Sequence, residues 1–187
     1  FPGSELYFHG NNKTLTELEE ALNYGVGHIV LDNFQELDRL AQMSTARGIT
    51  QPVLIRVTPG IDPHTHAHTT TGVLDSKFGF PIATGQAKEA ILRVLDTPAL
   101  HLAGLHFHLG SPIFELEPYA AAIKVVLKLA AELAPHGFHL EEFSPGGGFA
   151  IAYLQSQHPP TLEAYAAVIV DTLQRECEFY KLPLPRL

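Results

Sequence analysis

Two histidines of the chain, His106 and His108, stand two residues apart at the end of an apolar run, and Gly110 and Ser111 follow them directly. On a β-strand this spacing places both imidazoles on one face. Such a pair can hold a metal ion, and residues 64–68 offer three more histidines. The alternative is one core histidine and one strand-end histidine that each make hydrogen bonds. The spacing leaves both interpretations open, including a metal-dependent barrel hydrolase that uses His106 and His108.

Three consecutive glycines, Gly146, Gly147 and Gly148, follow a predicted strand. Their backbone can approach a ligand closely and direct its N–H groups at an anion such as phosphate. The alternative is a flexible turn, but the position directly after a buried strand favours a phosphate site. The run is neither GxGxxG nor GxxxxGK[ST], which argues against dinucleotide and P-loop nucleotide binding.

Two single residues and one long segment also bear on function. Arg56 interrupts an apolar strand, and because an unpaired buried guanidinium is costly, we expect a carboxylate or phosphate partner. Cys177 lies in the last predicted helix without a basic neighbour to activate it, so we predict that it packs in the core. Residues 58–80 form too long a segment for a simple connection. Near its end, Lys77 precedes aromatic residues that are expected to anchor it.

Strand-like and helix-like segments alternate along the chain. Predicted strands cover residues 5–9, 28–31, 53–57, 100–108 and 138–143. Predicted helices run from a Thr14 cap to Gly25, from an Asn33 cap to Gly48, and over 84–95, 117–134 and 161–181. No Pro-rich or Gly-rich linker divides them. The alternation predicts an α/β protein with a parallel sheet.

Polar residues recur where the predicted strands end, at 9–12, 32–33, 56, 108–111 and 146–148. A closed barrel brings such groups together at one mouth, whereas an open doubly wound sheet spreads them along an edge. We therefore predict a TIM-type (β/α)8 barrel. A complete barrel takes about 250 residues and eight strands. About five βα units fit here, so we expect residues 1–187 to form one incomplete barrel domain.

Composition excludes several other classes of protein. The net charge of -8 leaves no cationic surface for nucleic acid, and it gives no reason to expect an anionic membrane as partner. No apolar run approaches the roughly 20 residues of a membrane-spanning helix, and the first residues lack the pattern of a signal peptide. The single cysteine permits no intrachain disulfide, which predicts a reducing, cytoplasmic location. The start at Phe1, almost directly on a predicted strand, indicates a cut chain.

Several motifs together resemble one family, the diaminopimelate decarboxylases, which are pyridoxal phosphate (PLP)-dependent decarboxylases with an alanine-racemase-like barrel. The motifs, in order, are FHGNNKT (8–14), GVGHIVLDNFQEL (25–37), VLIRVTPGIDPHTHAHTTTG (53–72), DSKFGF (75–80), GLHFHLGSPIF (104–114) and PGGGFAIAY (145–153). The HGNNK and DSKFGF stretches favour this branch over ornithine or arginine decarboxylases. The resemblance extends through essentially the whole chain.

The resemblance implies PLP as cofactor and specific roles for residues of this chain. His108 would be the catalytic residue that lies against the pyridine ring, while Ser111 and Gly146–Gly148 would bind the phosphate. Arg56 would belong to the polar network under the ring, and His106 would face the barrel interior. The implied enzyme is a carboxy-lyase that converts meso-diaminopimelate to L-lysine and CO₂ in lysine biosynthesis, as a homodimer. No metal is expected.

Other parts of the family pattern are missing or changed. The lysine that carries PLP would lie before Phe1, the Glu-Pro-Gly-Arg segment after Leu187, and the C-terminal β domain is absent. We therefore expect the isolated segment to be inactive, and to oligomerise through open sheet edges. A non-catalytic phosphate- or PLP-binding scaffold is the alternative. Ser144 and Pro145 also stand where the family usually has Asp-Leu or Asp-Ile, and Pro112 replaces a usual glutamine.

Overall fold

The structure is a computed structural model that describes residues 1–62 and 78–187. Its strands are β1 (Tyr7–Phe8), β2 (His28–Leu31), β3 (Gln51–Thr58), β4 (Phe80–Pro81), β5 (Leu100–His106) and β6 (Glu142–Ser144). Its helices are α1 (Leu15–Tyr24), α2 (Phe34–Arg47), α3 (Gln86–Leu95), α4 (Glu117–Leu133) and α5 (Leu162–Tyr180). Short 3₁₀ turns cover Gly3–Glu5 and Ala134–His136. The histidines at 64–68 and Lys77 lie outside the described residues.

Local sequence signals set the ends of the first two helices. Thr14 caps α1 through its side chain, which accepts from the Glu17 N–H at 3.2 Å, while the Glu17 carboxylate accepts from the Thr14 N–H at 2.7 Å. Asn33 caps α2 by accepting from the Glu36 N–H at 2.9 Å. Both helices end at a glycine in the left-handed conformation. These bonds satisfy N–H groups that have no partner within the helix, and the predicted caps are confirmed.

All strand pairs in the described part of the chain are parallel. The strand order is β1-β2-β3-β5-β6, and β4 pairs with the end of β3. The strands are rich in buried aliphatic residues, and the five helices pack against them to form one core. Strands covered on both faces carry continuous apolar runs, and β2, with the sequence HIVL, is an example.

The sheet curls until its two end strands face each other. Tyr7 on β1 donates through its hydroxyl to Glu142 on β6 at 2.7 Å, although these strands lie at opposite ends of the strand order. His28 Nε2 also lies 3.3 Å from a Glu142 oxygen, and the Arg186 guanidinium contacts the same carboxylate. A flat, open sheet could not bring these groups together. The half-barrel confirms the predicted incomplete barrel fold.

Four strand predictions differ from the structure in extent, and the strand predicted over 53–57 extends to Gln51–Thr58. The predicted strand over 100–108 is too long, because β5 ends at His106. The strand predicted over 138–143 is reduced to Glu142–Ser144, and the one over 5–9 to Tyr7–Phe8. The pair Phe80–Pro81 was missed because two residues show no periodicity and proline cannot donate to a ladder. Strand length depends on how long the neighbouring strand runs alongside, which pattern alone does not encode.

Candidate functional site

The three glycines at the end of β6 form a turn that closely approaches its neighbours. Gly146 and Gly148 have φ values of 71° and 88°, in the left-handed region that favours glycine. A Cβ on Gly146 would lie 2.5 Å from the Phe107 carbonyl oxygen, and a Cβ on Gly148 would overlap the Gly110 carbonyl oxygen. Both positions therefore require glycine. The loop after β6 thus packs directly on the loop after β5.

Two carbonyl groups of this turn, those of Gly147 and Gly148, accept hydrogen bonds, while its N–H groups are left available. The Tyr119 hydroxyl donates to Gly147 O at 2.7 Å, and the Ile113 N–H donates to Gly148 O at 2.8 Å. Within residues 1–62 and 78–187, the N–H groups of the three glycines donate no hydrogen bond. The three glycines are half-buried, so their N–H groups can be reached by a ligand. Free N–H groups on a fixed turn are the arrangement that binds an anion.

Tyr119 on α4 was not predicted as a site residue. Burial, followed by the nearby Tyr165, raises the pKa of Tyr119 to about 12, so its hydroxyl remains a neutral donor. The Tyr165 hydroxyl in turn donates to Ile113 O at 2.6 Å and accepts from the Ala150 N–H at 3.3 Å. The two tyrosines thus hold both sides of the turn. Their only sequence signal is a tyrosine at a buried position of an apolar helix, Tyr119 in α4 and Tyr165 in α5.

The structure brings two other predicted site residues, His108 and Ser111, to this turn. His108 Nδ1 lies 3.0 Å from the position of a Cβ on Gly146, and Ser111 Oγ lies 3.0 Å from the position of a Cβ on Gly148. The side chains of His108 and Ser111 are both exposed. A small exposed hydroxyl and an exposed imidazole therefore flank the free N–H groups.

Arg56 pairs with Asp32, which confirms the prediction that an arginine in an apolar strand has a carboxylate or phosphate partner. Its Nη1 donates to Asp32 Oδ1 at 3.2 Å, and the Gly79 N–H donates to Asp32 Oδ2 at 3.1 Å. Asp32 is buried, whereas the Arg56 side chain is 18% exposed. The guanidinium also lies 4.9 Å from the centre of the Phe78 ring. A buried carboxylate thus sets the direction of the arginine.

Arg56 and His108 line one cavity of about 340 Å³ between the ends of β3 and β5. Thr58, Phe78 and Gly110 line the same cavity. Partial burial and then the positive charge of Arg56 lower the pKa of His108. Its imidazole is therefore neutral around pH 7. The cavity combines a neutral ring, a fixed cation and an adjacent group of backbone donors.

His106 does not share this cavity, which corrects the expectation that both imidazoles face the same way. Because β5 ends at His106, the residues after it leave the strand. His106 is 6% exposed, and its Nδ1 lies 2.9 Å from Ser144 Oγ in a hydrogen bond. The His9 ring meets it edge to face at 4.7 Å between centroids. The interior position predicted for His106 is the one observed.

The environment of His106 keeps its ring neutral over a wide pH range. Burial, followed by His9, Arg56 and His108, lowers its pKa to about 3. An unfolded chain would protonate this histidine below pH 6.5, whereas the folded chain would not. His106 therefore contributes to a loss of stability as the pH falls from 6.5 towards 3.

We expect Ser144→Asp to raise the pKa of His106 by about 2 units, because a carboxylate beside Nδ1 stabilises the imidazolium. Histidine-selective ¹⁵N NMR across a pH series measures this shift. Ser144→Ala is the matched control, since it removes the hydroxyl without adding charge and should leave the ring neutral. An unchanged pKa in Ser144→Asp would show that Ser144 does not govern the protonation of His106.

The described residues bear on a metal site, on a membrane span and on Cys177. Among the described residues, no group of three or more His, Cys, Asp and Glu side chains is placed to hold a metal ion. In the same part of the chain, no helix has the length and apolar character needed to cross a membrane. Cys177 is buried, as predicted, and burial raises the pKa of its thiol.

Comparison with known sequences links the chain to one family. A sequence model described as "Pyridoxal-dependent decarboxylase, pyridoxal binding domain" matches residues 1–185. The chain is 42% identical over 187 residues to the diaminopimelate decarboxylase of Actinosynnema pretiosum subsp. auranticum, and it covers 41% of that protein. It is 37% identical over 188 residues to the diaminopimelate decarboxylase of Bacillus subtilis, of which it covers 43%. The chain therefore spans about two fifths of the length of these relatives.

Solved structures show the same likeness. The diaminopimelate decarboxylase of M. jannaschii in complex with L-lysine aligns with a TM-score of 0.90 at 28% identity, over 100% of this chain and 42% of that one. The Helicobacter pylori diaminopimelate decarboxylase complexed with L-lysine aligns with a TM-score of 0.82 at 31% identity, over 92% of this chain and 43% of that one. The half-barrel is thus similar to part of the fold of these enzymes.

Proposed function

The chain belongs to the pyridoxal-dependent decarboxylases, and from this premise we propose that it forms the PLP site of a diaminopimelate decarboxylase. The proposed reaction converts meso-diaminopimelate to L-lysine and CO₂. The observation that carries the proposal is the glycine turn with free N–H groups beside His108 and Ser111. The identity to diaminopimelate decarboxylases over the whole chain supports this substrate rather than another amino acid.

The turn fits a phosphate group. An added Cβ on Gly146 or Gly148 would meet the loop that carries His108 and Ser111, so the backbone N–H groups of the turn lie close to both side chains. The carbonyl oxygens of Gly147 and Gly148, which would repel a dianion, accept hydrogen bonds from Tyr119 and Ile113. Backbone donors bind an anion without loss of side-chain entropy. We assign Ser111 Oγ as a further donor to the same phosphate.

The cavity beside the turn fits the flat ring of the cofactor. The imidazole of His108 is neutral near pH 7 because partial burial and Arg56 lower its pKa, so it can pack on an aromatic face without a charge to desolvate. Arg56, held by Asp32, supplies a fixed donor that lines the cavity. PLP, when bound, supplies the electron sink that allows the substrate carboxylate to leave as CO₂. The residues of this chain orient that ring and its phosphate.

The phosphate assignment predicts a specific order of affinities. We expect PLP to bind at least tenfold more tightly than pyridoxal, which lacks the phosphate, because charge-assisted hydrogen bonds to the turn are lost. Equilibrium dialysis on the protein from its complete reading frame measures both affinities. Equal affinities for the two compounds would remove the glycine turn from the proposed site.

The ring assignment has its own test. His108→Ala should weaken the binding of both PLP and pyridoxal by about threefold to tenfold, because ring packing is worth about 0.5–1.5 kcal/mol. The control is His136→Ala, at an exposed histidine outside the site. If His108→Ala affects PLP but not pyridoxal, His108 contacts the phosphate rather than the ring.

The proposed substrate is tested by CO₂ release from meso-diaminopimelate, ornithine and arginine with the same protein. We expect release from meso-diaminopimelate only.

Two finer features belong to the proposal. We propose a homodimer, on the basis of the family resemblance, and sedimentation velocity tests it. We also propose a cytoplasmic location, supported by the lone buried thiol of Cys177, and cell fractionation tests it.

A further inference from the structure

Lys13 lies outside the cavity, in the loop between β1 and α1, and is only 4% exposed. Its ammonium donates to Gly10 O, Val30 O and the Glu36 carboxylate, each at 2.7 Å. These bonds use all three N–H groups of the ammonium. Lysine is among the residues least often fully buried. The burial of this ammonium therefore indicates a specific role for Lys13.

The three acceptors belong to elements that meet at the barrel mouth. Gly10 directly follows His9, at the end of β1. Val30 lies on β2, two residues before Asp32, and Glu36 lies in the first turn of α2. Lys13 therefore joins the segment that carries His9 to the strand and helix that flank Asp32.

The backbone at Gly10 is not held by regular structure. Its φ is 145°, a conformation that residues with side chains rarely adopt. Two bonds fix this loop: Lys13 holds Gly10 O, and Asn33 Nδ2 donates to Asn11 O at 3.4 Å. The Asn33 bond is long and exposed, so the buried ammonium is the stronger restraint.

Stability alone does not require a lysine here. Well-packed apolar residues often replace a buried ion pair without loss of stability. An apolar side chain could not, however, bind two carbonyl oxygens at one point. What Lys13 provides is a fixed loop position. That position places the His9 ring edge to face on His106.

We propose that Lys13 is a positioning residue, and that it holds the His9–Gly10 segment so that the His9 ring packs on the ring of His106. This inference depends on the proposed function only because that function identifies PLP as the ligand. The position of His9 can be tested without PLP. Lys13 also acts on His9 through charge, since after burial it is the largest cause that lowers the pKa of His9.

The test compares three variants of the protein from its complete reading frame. Lys13→Met combined with Glu36→Leu removes the ammonium without leaving a buried carboxylate. Glu36→Gln removes the ion pair but keeps the bonds of Lys13 to the two carbonyl oxygens. Lys124→Met, at an exposed lysine of α4, is the surface control. The readouts are the thermal midpoint, the His9 ¹⁵N signals and pKa by NMR, and the affinity for PLP.

We expect the double variant to fold, to shift the His9 signals, to raise the pKa of His9, and to bind PLP about tenfold more weakly, because small displacements in a site are costly. Glu36→Gln and Lys124→Met should leave the His9 signals unchanged. If the double variant does not fold, Lys13→Met is measured at pH 6. Burial raises the pKa of Glu36 to about 7 even beside Lys13, so the carboxyl is mostly neutral there.

A folded variant without Lys13 whose His9 signals match those of the natural protein would overturn the proposal. The proposal would also be overturned if Glu36→Gln shifted the His9 signals as much as the double variant does. The ion pair, and not the hydrogen bonds to the carbonyl oxygens, would then be responsible for the position of His9. If the natural protein does not bind PLP, the proposed function fails. The His9 signals still decide the role of Lys13 in that case.

Discussion

Replacement of Gly148 by alanine is expected to weaken PLP binding at least a hundredfold, which corresponds to about 2.7 kcal/mol. The added Cβ would overlap the Gly110 carbonyl oxygen, and the backbone has a φ of 88°. The left-handed conformation costs a residue with a side chain about 1–2 kcal/mol. Relief of the overlap must also separate the loops after β5 and β6. The N–H groups of the turn and Ser111 would then no longer converge on one phosphate.

Two other glycines separate the possible causes. Gly85 has a φ of 83° with no atom within 4 Å of an added Cβ, and it lies outside the site. Gly85→Ala should therefore cost stability through backbone strain while the PLP affinity is retained. At Gly147 an added Cβ meets no atom within 4 Å, so Gly147→Ala should weaken binding far less than Gly148→Ala. If all three variants bind PLP equally well, the turn does not bind the phosphate.

The second large effect is expected at Asp32. Asp32→Ala should lower the free energy of unfolding by about 3 kcal/mol, at the lower end of the range for removing one partner of a buried ion pair. The value lies at the lower end because the Arg56 side chain is 18% exposed and water can partly solvate it. The substitution also removes the acceptor of the Gly79 N–H. Urea denaturation monitored by circular dichroism measures the change.

The matched control is Asp38→Ala. Asp38 also pairs with an arginine, Arg93, but the two side chains are 52% and 39% exposed. Exposed pairs of this kind contribute little, so the loss should stay below about 1 kcal/mol. Equal losses in the two variants would mean that the Asp32–Arg56 pair is not an anchor of the site. The PLP affinity should fall in Asp32→Ala only, because Arg56 then loses its fixed direction.

Local sequence signals determine much of the fold. The caps at Thr14 and Asn33 predict where α1 and α2 begin, because the side chain that accepts the free N–H lies within four residues of it. The apolar run HIVL predicts a strand covered on both faces, and the regular alternation predicts a parallel sheet. The residues flanking the proposed site were also recognisable, since the glycine run and Ser111 follow strand ends.

Other features depend on contacts that the local sequence does not encode. Tyr119 reaches Gly147 across 28 residues of sequence, and Lys13 reaches Glu36 across 23. No periodicity indicates that a single tyrosine in an apolar helix holds a carbonyl of a later loop. Nor does the HxH spacing reveal that β5 ends between its two histidines, which separates the neutral interior ring of His106 from the exposed ring of His108.

The division between the two sources of information has a physical basis. Helix caps, turns and alternating patterns depend on neighbours within a few residues, so the sequence by itself determined the elements and the residue types at the barrel mouth. Which carbonyl a tyrosine holds, which carboxylate directs Arg56, and where a strand ends depend on how those elements pack. Only the tertiary structure decided these, because the curl of the sheet brings distant groups within hydrogen-bond distance, as it does for Tyr7 and Glu142.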